Sequence, residues 1–148
     1  MRIAIGSDEK TKTTDAVIDY LKSQGHAVVL FGALIKPKAN WVDVAKDVAL
    51  TVKNRKAAEG ILFCWTGTGV AIAASKIPGI RAATVSDLKT AKTARAWNHA
   101  NILALSCFLP EKKAVKIVDT WLKTSYSTDP DNLESIKKLE RLEKELSR

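Results

Sequence analysis

Two cysteines and two histidines are all that 148 residues offer in classical metal and disulfide chemistry. Cys64 and Cys107 stand apart and neither belongs to a CxxC pair, which argues against a disulfide framework and against a thiolate zinc site. With only His26 and His99 present, a multi-histidine metal site is also disfavoured. No apolar run is long enough to span a bilayer, and Met1 leads directly into a strand rather than a signal peptide. The expected location is therefore the cytoplasm. Internal repeats and low-complexity linkers are missing. So are the nucleotide-binding signatures: GSDEKTKT follows the first strand, Thr66 to Gly69 is too short for a dinucleotide fingerprint, and there is no Walker loop. Acidic residues are scarce relative to basic ones, giving a net charge of +8. Residues 1–60 carry ten basic and seven acidic side chains, residues 61–129 nine and four, and residues 130–148 five of each. The excess is spread along helices with no basic run interleaved with aromatics, so it reads as a solvated surface attractive to small anions and not as a nucleic-acid footprint.

What is present is a sizeable core. A chain of this length with 46% hydrophobic residues suits one folded domain. Its organising stretch is Gly60 to Ala74, GILFCWTGTGVAIAA. Ile61, Leu62 and Phe63 form a continuous apolar run, the mark of a parallel strand covered on both faces. Thr66, Gly67, Thr68 and Gly69 then predict a tight turn whose N–H groups open a helix near Val70, where the helix dipole favours an anion. Cys64 falls where strand meets turn, the edge at which α/β proteins place their ligands. Two readings of it stand side by side: a thiol activated as base or nucleophile, or a small buried hydrophobe.

In chain order, Arg2–Ser7 is a strand, and Thr13 or Thr14 caps a helix with Val17, Ile18 and Leu21 on its apolar face. His26 opens a strand over Ala27–Phe31, and a helix runs from about Trp41 to Ala57. After the central turn come a strand over Ile80–Val85, a helix over Leu88–Trp97 and the polar turn Asn98–Asn101. A strand over Ile102–Ser106 and a helix over Glu111–Lys123 follow. Strands alternating with helices predict a Rossmann-like three-layer α/β/α sandwich on a five-stranded parallel sheet. Residues 1–126 make this domain. Residues 127–148 form a helical extension, capped by Asp131 or Asn132, whose stripe Leu133, Ile136, Leu139, Leu142 and Leu146 packs on its own domain or, by preference, on a partner subunit. The residues expected together at the carboxyl edge are Asp8, Glu9, Cys64, Thr66, Ser86, Asp87, Asn98, His99 and Asn101. An acid pair, a thiol, an anion-friendly turn and an imidazole are the parts for moving a proton next to a carbonyl.

Four stretches carry a family resemblance: GSD near the N-terminus, GHAVVLFG, GILFCWTGTGVAIAASKIPGIRAA and ARAWNHANILAL. Over about residues 1–126 the chain resembles the sugar-phosphate isomerase family that includes type B ribose-5-phosphate isomerase and the galactose-6-phosphate isomerase subunits. The resemblance implies dimers or tetramers with active sites at the subunit interface. It also implies metal-free and cofactor-free interconversion of aldose and ketose phosphates through a cis-enediol. Carried onto this sequence, it makes Cys64 the base that shuttles a proton between C1 and C2. Thr66 and the N–H groups around Gly67, Thr68 and Gly69 would hold the enediolate oxygen. Asp8 would bind sugar hydroxyls and help ring opening, and Asn98 and Asn101 match turn asparagines of which one bonds the sugar.

The chain also departs from the family pattern. Glu9 stands where a histidine commonly follows the aspartate. The ring-opening histidine falls on Trp97, with His99 two residues on as a replacement or as a surface turn residue. Trp65 replaces a glycine, the position of the family's arginine after strand five falls near Phe108, and STDPDNLE over Ser127–Glu134 replaces a phosphate-gripping segment rich in arginine. Trp65 and Trp97 are each a sugar platform or an interface-packing residue, and Lys10 or Lys12 could hold a phosphate. The expected function is an aldose–ketose isomerase acting on a sugar phosphate, ribose 5-phosphate foremost. The alternatives are an isomerase of a different or unphosphorylated sugar, or a non-catalytic sugar-binding subunit. No nucleic acid and no membrane is expected as partner.

Overall fold

A computed structural model describes residues 1–147. Strands β1 (Arg2–Ser7), β2 (Ala27–Gly32), β3 (Glu59–Cys64), β4 (Ala82–Thr84) and β5 (Ile102–Ser106) alternate with helices α1 (Lys12–Ser23), α2 (Trp41–Lys53), α3 (Thr68–Ala74), α4 (Leu88–Asn98) and α5 (Glu111–Lys123), followed by α6 (Pro130–Leu146). All strand pairs are parallel, in the order β2-β1-β3-β5-β4. The expected three-layer α/β sandwich is thus the fold.

Period-two alternation on the strands builds two cores. Ile3, Ile5, Ile61, Phe63, Leu103 and Leu105 face α1, α4 and α5, whereas Ala4, Leu62, Cys64, Ile102 and Ala104 face α2 and α3. Cys107 belongs to the first core and Cys64 to the second, so the two free thiols lie on opposite faces of the sheet. Gly6 lets α2 close on β1: a Cβ there would lie 2.5 Å from Val44 Cγ1 and 2.8 Å from Val48 Cγ2.

The element ends differ from expectation for identifiable reasons. Thr11, not Thr13 or Thr14, caps α1 through a reciprocal capping box, its hydroxyl taking the Thr14 N–H at 3.3 Å while Thr14 Oγ1 takes the Thr11 N–H at 3.0 Å. Helix α2 stops at Lys53, short of Ala57, because Arg55 turns into the left-handed region at φ 57°. Strand β4 spans three residues instead of Ile80–Val85. The Asn101 side chain has taken the backbone before it, accepting the Arg81 N–H at 2.9 Å and donating to the Gly79 carbonyl at 2.9 Å. Asp129, not Asp131 or Asn132, caps α6, and its Oδ1 accepts the N–H groups of both at 3.1 and 3.4 Å with Pro130 at the first helical position.

The C-terminal segment is tied to the end of α4. Ser127 N–H donates to the Ala96 carbonyl at 2.9 Å, and Asn132 Nδ2 donates to the Ala96 and Trp97 carbonyls at 3.3 and 2.8 Å, filling acceptors that the helix terminus leaves open. Farther along α6, Glu143 accepts the Gly79 N–H at 2.9 Å. Of the apolar stripe only Ile136 is buried, and Leu139, Leu142 and Leu146 are 45%, 50% and 77% exposed. Among the described residues no helix is long and apolar enough to cross a membrane.

Candidate active site

The carboxyl ends of β1, β3 and β5 meet around Cys64. Its side chain is only 6% exposed, and its Sγ accepts the Gly67 N–H at 3.2 Å, so a donor is aimed at the atom on which charge would develop. Gly67 makes this possible. It sits at φ 80°, and a Cβ would lie 2.9 Å from the Leu105 carbonyl carbon, leaving no room for any other residue. The turn is held from both sides: Thr84 Oγ1 donates to the Gly67 carbonyl at 3.1 Å, and the Thr66 and Thr68 hydroxyls share a hydrogen bond of 2.6 Å. Gly69 lies against the ring of Trp41, where a Cβ would come within 3.3 Å of Cε3.

Asp8 follows β1, whose Ser7 pairs with Phe63, the residue before Cys64. Its Oδ1 is buried without a hydrogen-bond partner. Burial pushes the Asp8 carboxyl above its ordinary value and the neighbouring Glu9 charge pushes the same way, against a backbone hydrogen bond. Glu9 is itself occupied, because its Oε2 accepts the Trp65 indole N–H at 2.7 Å. The Trp65 ring meets Phe108 edge-on at 5.3 Å and 88°, and its carbonyl accepts from Ser106 Oγ at 2.6 Å. Trp65 is therefore fixed three ways although 67% exposed. Cys107 bonds the strand end through its backbone, N–H to the Cys64 carbonyl at 2.9 Å. Its thiol is pushed up to about 11, by burial first and then by the charges of Asp8 and Glu9, and stays neutral.

The turn Asn98–Asn101 is not part of this cluster. Residues that precede a parallel strand lie at its amino end: Gly60 pairs with Ile102, and Gly60 N–H donates to the Asn101 carbonyl, whereas Cys64 pairs with Ser106. The two edges are separated by about 13 Å of strand. His99, expected beside Cys64, is instead the left-handed C-cap of α4 at φ 47° and is 8% exposed. Its ring stacks on Tyr126 at 4.4 Å, and its Nε2 lies 3.0 Å from the Ser127 carbonyl oxygen. It is neither a surface residue nor, within one chain, a member of the site. Asn101 spends its side chain on Gly79 and Arg81, as described above. Trp97 and Asn98 are exposed at the same far edge. Thus Asp8, Glu9, Cys64, Trp65, Thr66, Gly67, Thr68 and Gly69 come together, and Trp97, Asn98, His99 and Asn101 do not. The sequence reading missed Trp41 and the loop after β2, whose proximity follows from a strand order that no local pattern encodes.

The raised Asp8 carboxyl has a measurable consequence. Its folded-state pKa lies above the ordinary 3.8, so the ionised group subtracts stability at higher pH and nothing once both states are protonated. Asp8→Asn should raise the thermal midpoint at neutral pH, and the gain should vanish as pH falls toward 3.8. Paired melting curves across that range test this, and a variant less stable at neutral pH would contradict it.

The model of the Ribose/Galactose Isomerase family matches residues 3–139. The chain belongs to this family. Ribose-5-P isomerase B of Listeria innocua is 40% identical over 129 residues, covering 86% of this chain and 87% of that one. The solved structure of Clostridium thermocellum ribose-5-phosphate isomerase B superposes with a TM-score of 0.92 at 36% identity, covering 99% of each chain. That of Mycoplasma genitalium ribose-5-phosphate isomerase B with bound ribulose-5-phosphate gives 0.87 at 36% identity, covering 97% of each. As a member of the Ribose/Galactose Isomerase family the chain is a sugar-phosphate isomerase.

Proposed function

We propose that the chain interconverts ribose 5-phosphate and ribulose 5-phosphate, with Cys64 as the base that carries a proton between C2 and C1. The observation that carries this reading is the Gly67 N–H held 3.2 Å from Cys64 Sγ at the mouth of a glycine turn, on the strand next to the one that leads into Asp8 with its buried Oδ1. Asp8 accepts a hydrogen bond from the sugar hydroxyls and assists ring opening. In the open aldose the Cys64 thiolate removes the C2 proton, the electron pair moves into the C1–C2 double bond, and negative charge collects on O1. The Thr66 hydroxyl and the N–H groups of the Gly67–Gly69 turn stabilise that oxygen. The thiol then returns the proton to C1 while the O2 proton passes to O1, so that O2 becomes the carbonyl oxygen and the product is the ketose. Trp65, braced by Glu9 and Phe108, walls the sugar.

The same reading makes the working unit at least a dimer of identical chains in the cytoplasm, with the site at the interface. A second copy would cover Leu139 and Leu142 on α6 and bring its exposed Trp97 and Asn98 to the Cys64 mouth, which no movement within one chain can do. Truncation after Ser127 should then shift the protein to monomer or aggregate, and an unchanged mass in solution by light scattering would overturn the interface role of α6.

Proton NMR in deuterium oxide tests the reaction. Deuterium should enter C2 of ribose 5-phosphate and C1 of the ketose product in step with turnover. Exchange with free ribose alone, or binding without exchange, would sink the proposed substrate or the proposed chemistry.

A further inference from the structure

We infer that the phosphate of the substrate is held by Lys36 and Lys38 on the loop between β2 and α2, with Lys10 completing the site. The inference rests on the isomerase reading above and supplies its missing element, a cradle for a dianion. The order β2-β1-β3 sets Cys64, Asp8 and this loop in a row along the carboxyl edge. Adjacent strands are spaced by about 4.8 Å, so the loop begins roughly 10 Å from Cys64 with Asp8 between them. A pentose phosphate lying along that row, with its C1–C2 bond at Cys64, passes its hydroxyls over Asp8 and delivers its phosphate to the loop.

A cleft of 370 Å³ occupies this place, lined by Asp8, Glu9, Lys10, Lys36 and Lys38 among others. Lys36 and Lys38 have no carboxylate within ion-pair distance among the described residues, and Lys10 has only a 3.8 Å contact to the half-exposed Asp15. The neighbouring acids do not cancel this charge equally: Glu9 is turned to the Trp65 indole, and Asp8 is needed at the sugar.

The loop is also preorganised. Ala33 N–H donates to the Ser7 carbonyl at 2.8 Å, immediately before Asp8, and the Ile35 and Lys36 N–H groups both donate to the Gly32 carbonyl at 3.0 and 3.3 Å. Gly32 sits at φ 67°, where a Cβ would lie 2.5 Å from the Ser7 oxygen, and Lys38 adopts φ 62°, a conformation that non-glycine residues rarely keep without a reason. Among the described residues arginine offers no rival at this edge, and Arg141 lies on α6 beside the Glu143 that meets Gly79. Arg2 begins β1, Arg81 precedes β4 and Arg55 precedes β3, all at the amino edge, and Arg95 is spent on buried Glu59.

The test is Lys36→Ala/Lys38→Ala, two exposed positions, against wild type, Lys36→Arg/Lys38→Arg and a Lys53→Ala control at the amino end of the sheet. Loss of charge-assisted hydrogen bonds should lower kcat/KM for ribose 5-phosphate at least about tenfold, and the arginine pair should restore it. Independently of turnover, inorganic phosphate should bind wild type in calorimetric titration and fail to bind the alanine pair. Unchanged kcat/KM with unchanged phosphate binding would overturn the cradle while Cys64→Ala still abolishes exchange. Persistent exchange in Cys64→Ala would instead overturn the underlying reading.

Discussion

Cys64→Ala should lose isomerase activity by roughly a hundred- to ten-thousand-fold, the usual worth of a positioned proton carrier, while Cys107→Ala should keep it. The two thiols are close in sequence position relative to their strands but differ in surroundings. Cys64 faces the α2–α3 side with an N–H donor on its sulfur, whereas Cys107 is 0% exposed in the opposite core, its thiol pushed up to about 11. Losing the Cys107 sulfur should cost only about 1 kcal/mol of stability, since its bonds to Cys64 and Thr11 are made by the backbone. Iodoacetamide should accordingly modify one thiol per folded chain, with inactivation tracking modification of Cys64. Equal loss of activity in both variants, or inactivation that tracks Cys107, would remove Cys64 from the mechanism.

The division between what the sequence reveals and what it hides follows the range of the interactions. The turn after β3 is local: an apolar run, a cysteine and two glycines specify strand, edge and anion-friendly backbone, and the structure adds only that Gly67 must be glycine because Leu105 lies under it. The three-layer fold is legible for the same reason, since it follows from alternation of elements. Strand order is not local. Without it, the NHAN turn reads as neighbouring Cys64, although any residue preceding β5 must lie at the amino edge. The Glu9–Trp65 hydrogen bond spans 56 positions, and nothing near either residue announces it. Element ends depart from the local pattern where side chains compete for backbone, as Asn101 does at the start of β4 and Thr14 does in the α1 capping box.

Arg95→Ala should destabilise the fold by about 3–5 kcal/mol, the cost of leaving a buried partner unpaired. Glu59 is 6% exposed, and the Arg95 guanidinium grips both of its oxygens, with Nη1 to Oε2 at 3.0 Å and Nη2 to Oε1. The same group donates to the Ala100 carbonyl at 2.7 Å and to the Tyr126 hydroxyl at 2.9 Å, and it lies 4.4 Å from the Tyr126 ring centroid and 5.4 Å from that of Trp121. One side chain thus joins β3, α5 and the segment leading to α6. Burial pushes the Glu59 carboxyl up, and Arg95 opposes that push. Removing Arg95 takes away the main opposition to burial and leaves only the Trp121 indole against it, so the folded-state pKa rises further above the ordinary 4.5. A carboxyl with a raised folded-state pKa subtracts stability as pH rises through that value and none below the unfolded one. The deficit of Arg95→Ala relative to wild type should therefore be largest at neutral pH and shrink as pH falls toward 4.5. Denaturant melts over that range measure it, and Glu59→Gln/Arg95→Met should recover part of the loss by removing the stranded charge. A deficit that stays constant with pH would assign the whole effect to lost packing against Trp121 and Tyr126 and none to the ion pair.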